Sequence, residues 1–413
     1  MFDLAIHGKI YAGGLMEGWV YVKQGKVARV SRDRLERAEA EITLSGSQFL
    51  FPAATDLHVH LRDWSQKQKE TVETGTRSAV AGGVTTVADM PNTDPKLDTG
   101  KMVEKRVELL RKASFVDFAV HAGVPDSLRD LGSLRRAGAF AVKLYPPDLV
   151  RFPEVMKEAS RAGLKVAVHA EEHSMSGTPL APLAEEVAIK KILALVSKSS
   201  DVRFAHVSTS AGASELVRSK ASHKRLTVEV TPHHLFMSDS VAEDRIGITR
   251  KVNPSLRPAS NSLKMRRMMR EGAFDFYATD HAPHTVEEKF QGAPGFPALE
   301  FALPLFLTKT KDLGLVAKLY CEAPATYLGI KKGKISPGYT ADLVVVSKRS
   351  WRIDPERFVS KGRVTPFAGE LMHYAVEHVF KGGSTVYQSG RFRKVPANLV
   401  APRRGSETGR GRV

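Results

Sequence analysis

Cysteine is almost absent from this chain, since Cys321 is the only one among 413 residues. A disulfide within the chain is therefore excluded, and so is a zinc site built from several thiolates. Any metal would have to be held by histidine, by a carboxylate or by an oxygen derived from lysine. A single cysteine also fits the reducing cytoplasm.

Long apolar runs are missing as well, so no stretch suggests a membrane span. The first residues, Met1-Phe2-Asp3-Leu4, lack the basic region and apolar core of a signal peptide. A hydrophobic content of 42% and a charged content of 26% are typical of soluble globular proteins. We therefore expect a cytoplasmic protein with no membrane partner, long enough for one large domain and one small domain.

Acidic residues are too few to balance the basic ones, and the net charge is +17. The positive charge is spread along predicted helices at residues 101–112 and 264–270 and into residues 403–412. No basic stretch is interleaved with aromatic residues as in a nucleic-acid module, so a nucleic-acid partner is disfavoured. A positive field favours a small anionic substrate instead.

Strand and helix patterns alternate through the middle of the chain, which indicates parallel β/α architecture. After a strand that runs from Phe51 into His58 and His60, we predict seven more, at residues 84–89, 115–121, 139–145, 165–169, 203–206, 227–230 and 274–279. Eight β/α units in about 250 residues predict a TIM-like (β/α)8 barrel. An open doubly wound sheet is the alternative, but no glycine-rich phosphate-binding sequence follows the first strand.

The two ends of the chain are rich in short β-strand patterns, and neither end is long enough to bury a core alone. We infer that they pair into one discontinuous domain. The predicted division is a β-sandwich from residues 1–50 and 336–395 and a catalytic barrel from residues 51–335. We expect the basic tail, residues 396–413, to be disordered, with low-complexity sequence from Pro402.

Metal-capable side chains follow several of the predicted strands, where β/α barrels carry their active sites. His58 and His60 are two apart and share one face of a strand. The full set at these strand ends is His58, His60, Lys143, His169, His206 and Asp280. Four histidines and an aspartate suit zinc or a similar cation, and two ions fit their number better than one. An amine that takes up carbon dioxide becomes a carbamate that can bridge two ions; alternatively, Lys143 is a cation that binds substrate.

Three motifs resemble the dihydroorotases of the amidohydrolase superfamily, of the class I type. They are Asp56-x-His58-x-His60-x-Arg62, Met90-Pro91-Asn92-Thr93 and Asp280-His281-Ala282-Pro283-His284. The first is shared across the superfamily, whereas the other two together are more specific. The resemblance covers residues 1 to about 395. The chain departs from many relatives in residues 63–71, which lack a Pro-Gly turn, and Lys143 stands where some relatives have aspartate.

The resemblance implies reversible conversion between (S)-dihydroorotate and N-carbamoyl-L-aspartate, a step of pyrimidine synthesis. It implies two divalent ions, zinc by preference, bridged by carboxylated Lys143 and a hydroxide, with Asp280 as general base and then general acid. It assigns Arg62, Asn92 and His284 to the substrate carboxylate. Asn253 and the loop containing Pro294 and Gly295 are expected to contact the ring.

The resemblance also suggests partners and leaves alternatives open. A homodimer and an association with aspartate transcarbamoylase are partners that it suggests. A hydantoinase or allantoinase would use the same metals, and a catalytically silent scaffold for a pyrimidine-pathway partner is a third interpretation. We expect His233, His234 and His281 to support the site without binding metal.

Overall fold

A computed structural model describes residues 1–175, 178, 180–198, 200–239 and 249–401 of the chain. Its central feature is a sheet of eight parallel strands whose order in space follows their order along the chain. These strands are β6 (Ala54–Val59), β7 (Val84–Asp89), β8 (Asp117–Ala122), β9 (Ala139–Leu144), β10 (Lys165–Val168), β11 (Val202–Phe204), β12 (Leu226–Val230) and β13 (Phe276–Tyr277). The numbering counts five strands, β1–β5, that precede them in the chain.

The sheet curls so that its last strand returns to its first. A parallel bridge joins Val59 to His281, and the backbone N–H of His60 donates to the carbonyl of His281 at 2.8 Å. The predicted TIM-like barrel is therefore confirmed. Strands β7, β8 and β9 are buried along their whole length, as expected for parallel strands covered on both faces.

Helices surround the barrel. They are α1 (Val72–Ala81), α2 (Gly100–Ala113), α3 (Leu131–Ala137), α4 (Phe152–Ala162), α5 (Ala184–Leu193), α6 (Ser210–Ser219), α7 (Pro232–Phe236), α8 (Ala259–Arg270), α9 (Val286–Phe290), α10 (Leu299–Thr310), α11 (Leu313–Val316) and α12 (Ala323–Tyr327). A π-helical turn, Ala317–Glu322, precedes α12. Within the described part of the chain, no helix is long and apolar enough to cross a membrane.

Helix α1 illustrates how the local sequence sets an element. Its N-cap is Thr71, whose side chain accepts from the backbone N–H of Thr74. The side chain of Thr74 in turn accepts from the backbone N–H of Thr71, which completes a capping box. It ends at Gly82, where a Cβ atom would lie 1.9 Å from the carbonyl oxygen of Leu299. Only glycine allows α10 to approach this closely, and α10 packs against α1.

The two ends of the chain form one nine-stranded, mostly antiparallel sheet. Its strands are β1 (Phe2–Tyr11), β2 (Leu15–Lys23), β3 (Lys26–Ser31), β4 (Ala38–Thr43), β5 (Gln48–Pro52), β14 (Leu343–Ser347), β17 (Ala375–Lys381), β18 (Ser384–Gln388) and β19 (Arg391–Phe392). Two short strands outside it, β15 (Trp351–Arg352) and β16 (Leu371–Met372), pair with each other. Strands β5 and β14 are antiparallel neighbours, which confirms that the two ends pair.

Alternation along the strands gives the terminal sheet two apolar faces. Phe51 and Val344 belong to the large core shared with the barrel, whereas Leu50 and Val345 face a separate core of the terminal segments. The predicted domain limits at residues 50 and 336 stay predictions. Phe51 pairs with β14 in the terminal sheet, and the first barrel strand begins at Ala54.

The predicted tail also begins differently. The N–H of Phe118 donates to the carbonyl of Asn398 at 3.0 Å, and the N–H of Val400 donates to the carbonyl of Phe118 at 2.7 Å. Residues 398–400 are thus paired with β8, contrary to the disorder expected from residue 396. Residues 402–413 lie outside the described residues.

Candidate active site

A cavity of about 810 Å³ opens at the carboxyl ends of the barrel strands. Most of the residues predicted for the site line it: His58, His60, Arg62, Asn92, His169, His206, Asn253, Asp280, Pro294 and Gly295. Two further predicted residues, Lys143 and His284, lie buried next to this lining. The fold therefore brings the predicted site residues from β6, β7, β9, β10, β11 and β13, and from the loops around them, to one rim.

His58, His60 and Asp280 form the tightest group. The Nδ1 atom of His58 lies 2.7 Å from Oε1 of Glu229, and the Nδ1 atom of His60 lies 2.5 Å from Oδ1 of Asn92. Since both partners are acceptors, each Nδ1 donates, and each Nε2 carries a lone pair. Those Nε2 atoms lie 3.3 Å and 3.0 Å from Oδ1 of Asp280.

This group fits a bound cation. Two imidazole lone pairs and a carboxylate face one another with their ligand atoms within 4.8 Å. Three acceptors at such distances repel unless a proton or a cation lies between them, and a divalent ion satisfies all three at once. The donor set of two histidines and an aspartate is one that zinc accepts.

A second group lies beside the first. The ring centroids of His169 and His206 are 4.4 Å apart, and those of His206 and His58 are 5.1 Å apart. The Nε2 atom of His169 lies 2.6 Å from Oε2 of Glu171, so its Nδ1 is the nitrogen left for a ligand. The Nδ1 atom of His206 is buried and has no hydrogen-bond partner within the described residues.

Lys143 is fully buried on β9 among these groups. Its Nζ atom has no hydrogen-bond partner in the part of the chain that the structure describes. Burial lowers the pKa of Lys143 to about 7, although the carboxylates of Glu229 and Asp280 oppose that shift. Burial likewise lowers the pKa of His58 and His206 well below the ordinary value, which keeps both rings neutral and able to bind a metal.

Backbone strain accumulates at the same rim. Arg62 has φ 49°, His206 has φ 36° and Asp280 has φ 49°. Side chains other than glycine rarely adopt such positive angles, and they do so mainly where the surrounding structure fixes them for function. Arg62 is held in this conformation through its carbonyl oxygen, which accepts from Nη1 of the buried Arg106 at 2.9 Å.

The predicted carboxylate-binding residues lie on one side of the cavity. Nη2 of Arg62 lies 3.3 Å from Nε2 of His284, whose Nδ1 lies 3.1 Å from Oε2 of Glu288. Burial and the charge of Arg62 lower the pKa of His284 to about 4, so its ring is neutral and its Nε2 accepts from Arg62. In this arrangement His284 orients the guanidinium, and Asn92 uses its oxygen on His60.

The predicted ring-contacting residues also line the cavity. Asn253 precedes Pro254 in a loop before α8, while Pro294 and Gly295 follow α9. The N–H of Gly295 donates to the carbonyl of Lys251 at 2.8 Å, so the two loops are joined.

Two acidic residues of the site were missed from the sequence. Glu229 accepts from His58 and from the backbone N–H of His206 at 3.1 Å, and it lies 3.1 Å from Nη1 of Arg203. Glu171 accepts from His169. The sequence offers one indication for Glu229: it is a carboxylate between two valines of β12, where an unpaired charge would be costly.

Two of the other histidines near the site, His234 and His281, have hydrogen-bond partners, whereas neither ring nitrogen of His233 has one within the described residues. The Nε2 atom of His234 lies 3.0 Å from the carbonyl oxygen of Pro254, and His233 packs against Phe296. The Nδ1 atom of His281 accepts from the N–H of Ala298 at 3.1 Å.

Comparison with known proteins identifies the family. The model of the amidohydrolase family matches residues 49–386. A dihydroorotase of Methanothermobacter thermautotrophicus is 35% identical over 89% of this chain and 90% of its own length. A dihydroorotase of Pelotomaculum thermopropionicum is 34% identical over 91% and 96%, respectively.

The chain belongs to the dihydroorotase family of amidohydrolases. Members of the amidohydrolase family are metal-dependent hydrolases. The group formed by His58, His60 and Asp280, which fits a cation, agrees with this property. The solved L-hydantoinase (dihydropyrimidinase) of Arthrobacter aurescens matches with a TM-score of 0.89 at 27% identity, over 95% of this chain and 98% of that one. A D-hydantoinase of Thermus sp., with a TM-score of 0.87 at 20% identity over 97% and 99%, shares the fold.

Proposed function

We propose that this chain interconverts (S)-dihydroorotate and N-carbamoyl-L-aspartate as a step of pyrimidine synthesis. The observation that carries the proposal is Arg62. Its guanidinium is buried in the cavity wall. Among the residues that the structure describes, its Nε has no hydrogen-bond partner and the guanidinium forms no ion pair. A buried, unpaired cation is costly unless an anion joins it, and dihydroorotate brings a carboxylate to a bidentate donor.

The metal assignment follows from the two histidine groups. His58, His60 and Asp280 would hold one divalent ion, His169 and His206 a second, and carboxylated Lys143 would bridge them. Zinc suits the nitrogen and oxygen donors. When bound, such ions lower the pKa of water toward neutrality and polarise an amide carbonyl. The unpartnered Nζ of Lys143 supports carboxylation, because an unmodified ammonium there would add to the positive charge of the ions.

The chain's own residues then have distinct tasks. The carboxylate of Asp280 takes the proton of the attacking water and returns it to the ring nitrogen as the amide bond breaks. Arg62, oriented by His284, binds the carboxylate, and Nδ2 of Asn92 completes that pocket. Asn253 and the backbone at Pro294 and Gly295 meet the amide edge of the ring.

Cellular context stays part of the proposal. A cytoplasmic location, a homodimer and an association with aspartate transcarbamoylase are suggested by the family resemblance. The neighbouring alternative is a hydantoinase-like activity, which the fold of the L-hydantoinase would also support.

The test is turnover by metal-loaded protein of dihydroorotate, hydantoin and allantoin, with Arg62→Met beside the wild type. Arg62→Met should raise KM for dihydroorotate by a factor equivalent to about 1.5–3 kcal/mol, because a charge-assisted bond is lost, and should leave metal content unchanged. Arg267→Met, which removes an exposed arginine paired with Glu271, is the matched control. Preferred turnover of hydantoin would favour the alternative, and no turnover by metal-replete protein would favour a silent scaffold.

A further inference from the structure

Lys289 is a buried lysine that the proposed chemistry does not use. It lies on the short helix α9 and is 1% exposed. Its Nζ atom donates to three backbone carbonyls, those of Ala293 and Gly295 at 2.8 Å each and that of Lys251 at 3.3 Å. An ammonium has three donors, so the three carbonyls use all of them.

The three carbonyls belong to two separate loops of the cavity wall. Lys251 stands two residues before Asn253, and Ala293 and Gly295 flank Pro294. Nζ of Lys289 thus holds the loop before α8 and the loop after α9 in one fixed relation. The N–H of Gly295 adds a direct bond to the carbonyl of Lys251.

The loop containing Gly295 also contacts the segment that follows β13 and carries Asp280. Gly295 has φ +113°, and a Cβ atom there would lie 2.7 Å from both Cβ and O of Ala282. The N–H of Ala282 donates to the carbonyl of Phe296 at 3.0 Å. The loop held by Lys289 therefore also contacts Ala282, two residues after Asp280. These contacts on both sides fix the distance between the loop and Asp280.

We infer that Lys289 is a positioning residue that sets the ring-contacting wall of the site. The inference rests on the proposed function for its substrate, but its structural content does not depend on turnover. Glu288, the preceding residue, contacts His284 on the carboxylate-binding side. Successive residues of α9 therefore contact two parts of the proposed site: Glu288 contacts His284, and Lys289 binds the carbonyls of the two loops.

Lys289→Met tests the inference, because methionine keeps most of the apolar stem and removes every donor. The expected result is a rise in KM for dihydroorotate of about tenfold, the equivalent of one neutral hydrogen bond to the substrate, with kcat within about threefold of wild type and unchanged metal content. Hydrogen exchange of peptides covering residues 290–298, measured without substrate, should be faster than in wild type.

Lys220→Met is the matched control. Nζ of Lys220 also donates to a backbone carbonyl, that of Ala273 at 3.2 Å, and to Asp275, but Ala273 does not line the cavity, whereas Lys251 and Gly295 do. The control should leave both KM and the exchange of residues 290–298 unchanged. An unchanged KM in folded Lys289→Met, or an equal rise in Lys220→Met, would overturn the inference.

Lys289→Gln covers the case in which the methionine variant does not fold. Glutamine keeps a donor group, so KM and exchange should shift in the same direction by less, and wild-type values for both would contradict the inference. A wild-type protein that fails to turn over dihydroorotate would instead refute the proposed function, and the exchange comparison would still decide whether Lys289 fixes the loops.

Discussion

The barrel contains two clusters of buried charge, one at each end, and they are built in opposite ways. At the base, where the barrel meets the terminal sheet, Nζ of Lys332 lies 2.6 Å from Asp117 and 2.6 Å from Asp342. Nζ of Lys381 lies 2.7 Å from the other oxygen of Asp117. At the rim, Lys143 and Arg62 are just as buried, yet neither forms an ion pair within the described residues.

The difference separates structural charges from functional ones. Burial disfavours the charge of Lys332, but Asp342 and Asp117 raise its pKa above the ordinary value, so its charge is retained by the fold itself. Burial lowers the pKa of Lys143 to about 7, because the fold supplies less compensation there. A buried cation whose partners come with the chain holds the structure together, whereas one without partners leaves its interaction energy for a ligand.

Removing the rim lysine should produce the largest effect. Lys143→Ala should lose at least one metal ion and reduce kcat by more than about a hundredfold. This loss exceeds the usual effect of removing a residue that only hydrogen-bonds to a metal ligand, because Lys143 is proposed to bind the ions itself. Small carboxylic acids should restore part of both by replacing the carbamate. Metal analysis and steady-state rates measure this, with Lys165→Ala on β10 as control. A full metal complement in Lys143→Ala would show that the rim lysine is not a bridge.

Removing the base lysine should affect stability and leave catalysis intact. Lys332→Met leaves buried Asp342 uncompensated and should lower the free energy of unfolding by about 3–5 kcal/mol. Below the melting transition, KM and metal content should match wild type. Denaturant unfolding measures the first effect, and Lys334→Met, a surface lysine paired with Glu322, is the control. A KM change in the folded variant would break the distinction between the two ends.

Glu300 is a buried carboxylate outside both clusters and should show a smaller effect that depends on pH. Its Oε1 accepts from the N–H groups of Val359 and Ser360, and burial raises its pKa to about 7. Because the folded pKa lies above the unfolded one, Glu300 stabilises most below pH 4.5, and this contribution is lost as the pH rises through 7.

Glu300→Gln keeps an acceptor oxygen and removes the ionisation. Its stability relative to wild type should therefore rise by roughly 2–3 kcal/mol between pH 5 and pH 8, measured by unfolding at both pH values. Glu356→Gln, on an exposed turn, is the control and should show no such change. Parallel pH profiles for Glu300→Gln and wild type would show that burial is not the source of the shift.

The sequence predicted the barrel because hydrophobic period and strand count are local properties. It also placed His58, His60, His169 and His206, because a metal-capable residue at the carboxyl end of a barrel strand, or just after it, lies at the rim. The pairing of the ends was confirmed for a similar reason, since neither end could bury its apolar strands alone.

What the sequence missed depends on side-chain contacts between distant segments. Glu229 meets His58 across 171 positions of the chain, and no local pattern assigns that pair. The pairing of residues 398–400 was missed because it is backbone pairing with Phe118, of which the composition of the tail gives no indication. The three carbonyls around Lys289 are likewise main-chain groups, and their positions follow from the loops' path alone.

The pairing of β5 with β14 has a consequence for biosynthesis. Gln48 lies opposite Ser347, so the strand that leads into the barrel finds this neighbour only after nearly 300 further residues have been made. During translation the edge of β5 that β14 will cover stays open, and an open edge is a template for association with other chains. The barrel, by contrast, adds each strand next to the previous one. Chaperone dependence and misassembly during expression should therefore concentrate in the terminal sheet, and shortening the chain before residue 343 should yield aggregates even though every barrel strand is present.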